Sequence, residues 1–205
     1  MNLEEALNRH PLIQIRQRRE LAELFGFETR NKYGIESAGG ESLGFAAEQQ
    51  KGVLGFLFRQ WFGHWRNFDI HFFNPDRSLA WRAVHPFRWF FSRLEVIRPD
   101  GSRVGAIQRR WALLSKRFEV EDDGGVVVME VSSPIWRPWT FLFKRHGREV
   151  GAIRKKWAGL LQEAFTDADR FHVEFASPDL ELNEKVLLVS AGIFVDLQYF
   201  EEKAR

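Results

Sequence analysis

Glu184 to Phe200 reads EKVLLVSAGIFVDLQYF, and the fold turns on how this stretch is buried. It has helix length and is apolar on every side, broken only by Ser190, Asp196 and Gln198. A helix without a polar face must be buried in protein or in lipid. Crossing a bilayer takes about 20 mostly apolar residues. The near-continuous run, Val186 to Val195, supplies about half of that and is bounded by Lys185 and Asp196. Extending it over the flanks would put Asp196 in hydrocarbon, at about 2.5–3.5 kcal/mol on insertion scales. A protein interior gives the same burial together with hydrogen-bond partners for the Asp196 carboxyl. Gross burial of so many apolar side chains is worth about 20–30 kcal/mol as an upper bound. The segment is therefore expected to be the core around which the rest of the chain folds.

Upstream, the chain reads as strands. Phe171, Val173 and Phe175 alternate with His172 and Glu174, the period of a half-buried strand. Val104-Gly-Ala-Ile107 recurs as Val150-Gly-Ala-Ile153. Each copy is followed by two basic residues and then Trp-Ala: Arg109, Arg110, Trp111, Ala112 and Lys155, Lys156, Trp157, Ala158. Each copy also completes a hairpin, Leu94 to Ile97 before the turn Pro99-Asp-Gly101, and Phe141 to Phe143 before His146-Gly147. Further hairpins flank Gly39-Gly40, Asn74-Pro75-Asp76 and Asp122-Asp-Gly-Gly125, turn residues because Gly takes positive φ and Pro presets its own. Many short strands at regular spacing indicate a sandwich or barrel, and a barrel removes the exposed edges. Leu12 to Phe25 has helical spacing with charges on one face and is expected to pack outside.

Two motifs in this frame resemble the phospholipid scramblase family. Glu163 to Phe171, EAFTDADRF, is similar to the family's C-terminal signature, and Gly26 to Ile35, GFETRNKYGI, to the start of its core domain. The resemblance runs from Pro11 to Glu202. It implies a mainly β, tubby-like fold: a closed antiparallel barrel of about twelve strands around a central hydrophobic C-terminal helix. A short N-terminal helix is expected within a lead-in over residues 1–25, followed by a barrel domain over 26–205 with its helix over 184–200. The resemblance implies action on phospholipids at a membrane surface, with lipid scrambling as the finer reading. The alternative is a soluble module recognising a lipid headgroup or a protein without moving lipid.

The resemblance also implies calcium at the segment beginning Asp167-Ala-Asp169, with Asp179 as a further ligand after a one-residue shift. Read as an EF-hand the segment fails: His172 stands where Gly is needed and Pro178 where Glu is needed. Asp167 and Asp169 also suit a turn before a strand.

Three linkers between hairpins concentrate the aromatic residues. Gly52 to Trp65 reads GVLGFLFRQWFGHW, Pro86 to Phe91 reads PFRWFF, and Pro134 to Trp139 reads PIWRPW. They carry Trp61, Trp65, Trp89, Phe90, Trp136 and Trp139, with Arg59, Arg66, Arg88 and Arg137 in or beside them. In the family such linkers tend to be rich in cysteine, acylated in some members. Here the chain has 0 Cys. Trp and Phe can bury in a bilayer interface without an acyl chain, and each Arg near an anionic surface adds about 1 kcal/mol. A membrane foot, core packing and an oligomer contact are the three readings of these residues. Arg109, Arg110, Lys155 and Lys156 are candidates for an anionic headgroup.

Other chemistry is scarce. Without cysteine there are no disulfides, thiolate metal sites or thiol nucleophiles. The histidines are scattered, Ser132 and Ser133 lack a nucleophile-elbow setting, and no hydrolytic or redox constellation emerges. A net charge of +2 gives no overall field toward nucleic acid, and none is expected as a partner. MNLEEALNRH lacks the pattern of a signal peptide. The expectation is a cytoplasmic protein, peripheral to a membrane, with an anionic phospholipid surface as partner.

Overall fold

The computed structural model describes residues 1–17, 32–49, 68–85, 92–110, 116–134, 136–137, 139–156 and 170–199. A short helix, α1 (Leu3–Arg9), precedes twelve strands. These are β1 (Leu12–Gln17), β2 (Lys32–Ser37), β3 (Ser42–Glu48), β4 (Phe68–Phe73), β5 (Leu79–His85) and β6 (Arg93–Ile97). They continue as β7 (Arg103–Arg110), β8 (Lys116–Glu121), β9 (Val127–Ser133), β10 (Thr140–Arg145), β11 (Arg148–Lys156) and β12 (Arg170–Phe175). The chain then enters α2 (Leu182–Tyr199). Each strand pairs antiparallel with the next, and β1 pairs with β12, so the sheet closes into a barrel. The five hairpins and the Phe171–Phe175 strand fall where the sequence puts them.

The interior is filled by α2. Val186, Leu187, Leu188, Val189, Ile193 and Phe194 are buried. Ile13, Ile15, Ile35, Ile70, Phe72, Val96, Val120, Phe141 and Val173 surround them from the strands. No described helix is long and apolar enough to cross a membrane. The repeated glycines explain how a helix of this girth fits. A Cβ on Gly105 would lie 2.9 Å from Leu187 Cδ1, and one on Gly151 would lie 2.5 Å from Leu188 Cδ2. The repeat therefore supplies two seats, one on β7 and one on β11, for consecutive leucines of the core helix. Two of the polar breaks in the helix, Ser190 and Asp196, are also satisfied. Ser190 Oγ accepts from Trp81 Nε1 at 3.1 Å and donates to the Val186 carbonyl at 2.8 Å. Tyr33 Oη donates to Asp196 Oδ2 at 2.9 Å.

One expectation is corrected. Leu12–Gln17 is not part of an outer helix but strand β1 of the barrel. Ile13 and Ile15 are fully buried in alternation with half-buried polar neighbours. The gain is closure: without β1, both β2 and β12 would have a free edge. The helical segment lies earlier, at α1, where Asn2 and Glu5 form a reciprocal capping box. Leu3, Ala6 and Leu7 of α1 are fully buried. Arg98 donates to both Glu4 (3.2 Å) and Asn183 (2.8 Å), fastening α1 to the start of α2.

Candidate functional site at the long-linker end

In a barrel whose consecutive strands are antiparallel neighbours, connections alternate between its two ends. The tight turns β2–β3, β4–β5, β6–β7, β8–β9 and β10–β11 lie at one end, with the entry into α2. The strand ends joined by the connections β1–β2, β3–β4, β5–β6, β7–β8, β9–β10 and β11–β12 all lie at the other end. The strand ends that flank the three aromatic linkers therefore share one rim.

The rim residues can be placed one by one. Trp136 is 81% exposed, the largest exposure among the large hydrophobic side chains described. Arg137 beside it is exposed, in a turn where its N–H donates to the Pro134 carbonyl at 3.0 Å. Trp139 is partly buried and packs on the core. Its carbonyl accepts the Lys155 N–H at 3.0 Å. Of the third linker's two tryptophans, one faces out and one faces in. Trp61, Trp65, Trp89, Phe90, Arg59, Arg66 and Arg88 lie outside the described residues.

The repeated basic pairs divide between the two faces of the wall. Arg109 is in register with Phe118, and Lys155 with Phe171; both phenylalanines are buried. The first cation of each pair thus belongs to the inward column at the rim. Lys155 Nζ sits 5.6 Å from the centroid of the Phe171 ring, a cation–π contact. Arg110 belongs to the outward column, opposite Arg117, and Lys156 is in register with Arg170. Arg110 is held by Glu119 at 2.6 Å, so part of its charge is already answered.

A further ion cluster lies on β4 and β5 near the same rim. Arg82 binds buried Asp69 through two contacts, 2.6 and 3.3 Å, and His71 Nε2 lies 3.3 Å from the same carboxylate. Burial by itself would raise the Asp69 pKa, but the hydrogen bonds and charges of His71 and Arg82 outweigh it and lower it to about 2.

Of the calcium candidates, only Asp179 falls among the described residues. It follows the last residue of β12, Phe175, at the turn end. Asp179 is exposed and its N–H donates to Ser177 Oγ at 3.3 Å. Among the described residues no group of three or more His, Asp or Glu could hold a metal ion. Asp167 and Asp169 lie outside the described residues.

A closed twelve-strand antiparallel barrel filled by a C-terminal helix is the tubby-like fold. The family follows from comparison. The model of the family described as Scramblase matches residues 2–202, and the chain belongs to that family. Human phospholipid scramblase 2 is 28% identical over 212 aligned positions, covering 96% of this chain and 70% of that protein. Human phospholipid scramblase 1 is 29% identical and covers 96% of this chain, which spans 65% of its length. An X-ray structure of an Arabidopsis thaliana protein superposes with a TM-score of 0.53 at 12% identity, covering 91% of this chain and 93% of that one. The last likeness concerns the fold alone.

Proposed function

We propose that this protein binds phospholipid at a membrane surface, docking by the long-linker end of its barrel. The observation that carries the reading is Trp136, 81% exposed on that rim beside exposed Arg137. Such a pair suits the interface, where an aromatic ring sits at headgroup level and a cation meets anionic lipid. The opposite end is occupied by tight turns and by α1, and offers no comparable aromatic group among the described residues.

A second reading concerns transport. The family and its relatives' names favour lipid scrambling. The filled interior favours binding without a path of this barrel's own: flipping needs a polar route across about 30 Å of hydrocarbon, and α2 occupies the barrel's axis. A lipid route would then run outside the barrel, through bilayer thinning or a further copy.

Two assays separate these readings. Co-sedimentation with vesicles, with and without anionic lipid, tests docking; binding to anionic vesicles that weakens with salt is expected. Leaflet exchange of a fluorescent lipid in reconstituted vesicles tests transport. Absence of vesicle binding would overturn the proposal. Binding without exchange would select the module that does not move lipid.

A further inference from the structure

Most arginines on the outer wall of the barrel have a carboxylate partner. Arg82 has Asp69, Arg93 has Glu121, Arg110 has Glu119 and Arg154 has Glu174. The seam that closes the barrel breaks this pattern. Arg16 on β1 is directly opposite Arg170 on β12, and Arg170 is in register with Lys156 on β11. Arg16 alternates with buried Ile15, and Arg170 with buried Phe171, so both arginines belong to the outer face. Arg170 is exposed and Arg16 half-buried. Among the described residues neither has a carboxylate within ion-pair distance.

Directly opposed residues on an antiparallel pair have Cβ atoms about 4.5–5.5 Å apart, and like charges placed so are destabilising. The rung contains no acid to relieve them. Gly34, the β2 partner of Arg16, adds no side chain. Glu36 sits one rung farther from the rim, opposite Gln14. Glu174 lies farther still, opposite Leu12, and is engaged by Arg154 at 3.1 Å. Among the described residues this rung beside the rim proposed to face the membrane keeps two like charges for an external anion to meet.

We infer that Arg16 and Arg170 form a binding site for a phosphate monoester at the barrel seam. The inference deepens the membrane proposal and rests on it for the source of the phosphate, a lipid headgroup. A monoester carries close to two negative charges near neutral pH. Guanidinium groups present paired N–H donors that match its oxygens. The rung lies on the wall just below the rim, where a headgroup would reach it once the linker end is docked.

The test uses the full chain and the double variant R16Q/R170Q. Three measurements are made: thermal melting in chloride, melting in inorganic phosphate at matched ionic strength, and co-sedimentation with phosphatidylcholine vesicles with or without phosphatidic acid. In chloride the variant should melt at or above the wild-type temperature, since an opposed like-charge pair is removed. Phosphate should raise the melting temperature of the wild type and not of the variant. Binding to phosphatidic acid vesicles should fall about thirtyfold, the loss of two surface cations. Binding to pure phosphatidylcholine should not change. If phosphate protects only the wild type while no vesicle is bound by either protein, the anion site stands with a free phosphate as its ligand, and the membrane proposal falls. If the two proteins bind phosphatidic acid vesicles equally and phosphate protects neither, the seam site is overturned and the membrane proposal stands. A variant that melts lower in chloride would also overturn it, by showing the arginines to be structural. Should the double variant fail to fold, exposed Arg170→Gln alone carries the same three readouts.

Discussion

Tyr33 and Asp196 join the first long hairpin of the barrel to the far end of its core helix through a buried 2.9 Å hydrogen bond. Asp196 is the residue that ends the apolar run, and it is 1% exposed. In hydrocarbon it would be a liability; inside this barrel it receives a phenol donor from β2. The bond thus satisfies the polar residue that ends an apolar run buried in the protein core.

Removing that donor should be felt. Tyr33→Phe keeps the ring and deletes the hydroxyl, leaving Asp196 one hydrogen bond short. The expected cost is about 1–3 kcal/mol, measured by urea denaturation. An unchanged midpoint would show that the bond contributes nothing to the fold.

The repeated glycines give a second expectation. Gly105→Ala or Gly151→Ala should each cost at least about 1–3 kcal/mol, because the new methyl meets the Glu121 carbonyl and Leu187 in the first case and Leu188 and the Glu174 carbonyl in the second. Gly39→Ala, whose nearest contact would be Ser37 Oγ at 3.7 Å, should stay within about 0.5 kcal/mol. Combining Gly151→Ala with Leu188→Ala should cost less than the sum of the two changes, since the shortened side chain vacates the seat. Strict additivity would argue against the seat.

The hairpins were legible because their turns carry Gly, Pro and Asp and their strands alternate. The core helix was legible because its apolar character has no polar face. Strand β1 was not, since only Ile13 and Ile15 alternate before the sequence runs into the charged QRRELAEL, whose spacing is helical. Helix α1 carried a usable signal, Asn2 three residues before Glu5, which fits a capping box. The glycine seats were visible as a repeat but not as seats, because Leu187 and Leu188 belong to a distant segment. The Arg16–Arg170 rung could not be read at all, because it exists only where the first strand meets the last.

Acid should reveal the Asp69 cluster. Its folded pKa, about 2, lies below the ordinary carboxylate value near 3.8. The stabilisation is therefore fully present above that ordinary value and is lost as pH falls from about 4 toward 2. At neutral pH the shift corresponds to about 2 kcal/mol. Asp69→Asn should lose that amount and melt with a shallower pH dependence between about pH 4 and 2. A parallel acid profile in wild type and variant would remove Asp69 from the account.

Truncation tests the role of α2. A chain ending before Asn183 lacks the element that fills the barrel, and its strands cannot close around a void. It should show no cooperative thermal transition. A retained transition would mean that the barrel does not need its helix.

The central claim, that the long-linker end meets the membrane, is tested most directly by Trp136→Ser, with vesicle binding and melting temperature measured on the same protein. Trp136 is 81% exposed, so stability should change by less than about 0.5 kcal/mol. Losing one interfacial aromatic should weaken binding to anionic vesicles by about tenfold, and the deficit should persist at high salt, because salt screens charge and not apolar burial. Unchanged vesicle binding, or a lowered melting temperature with normal binding, would contradict the account.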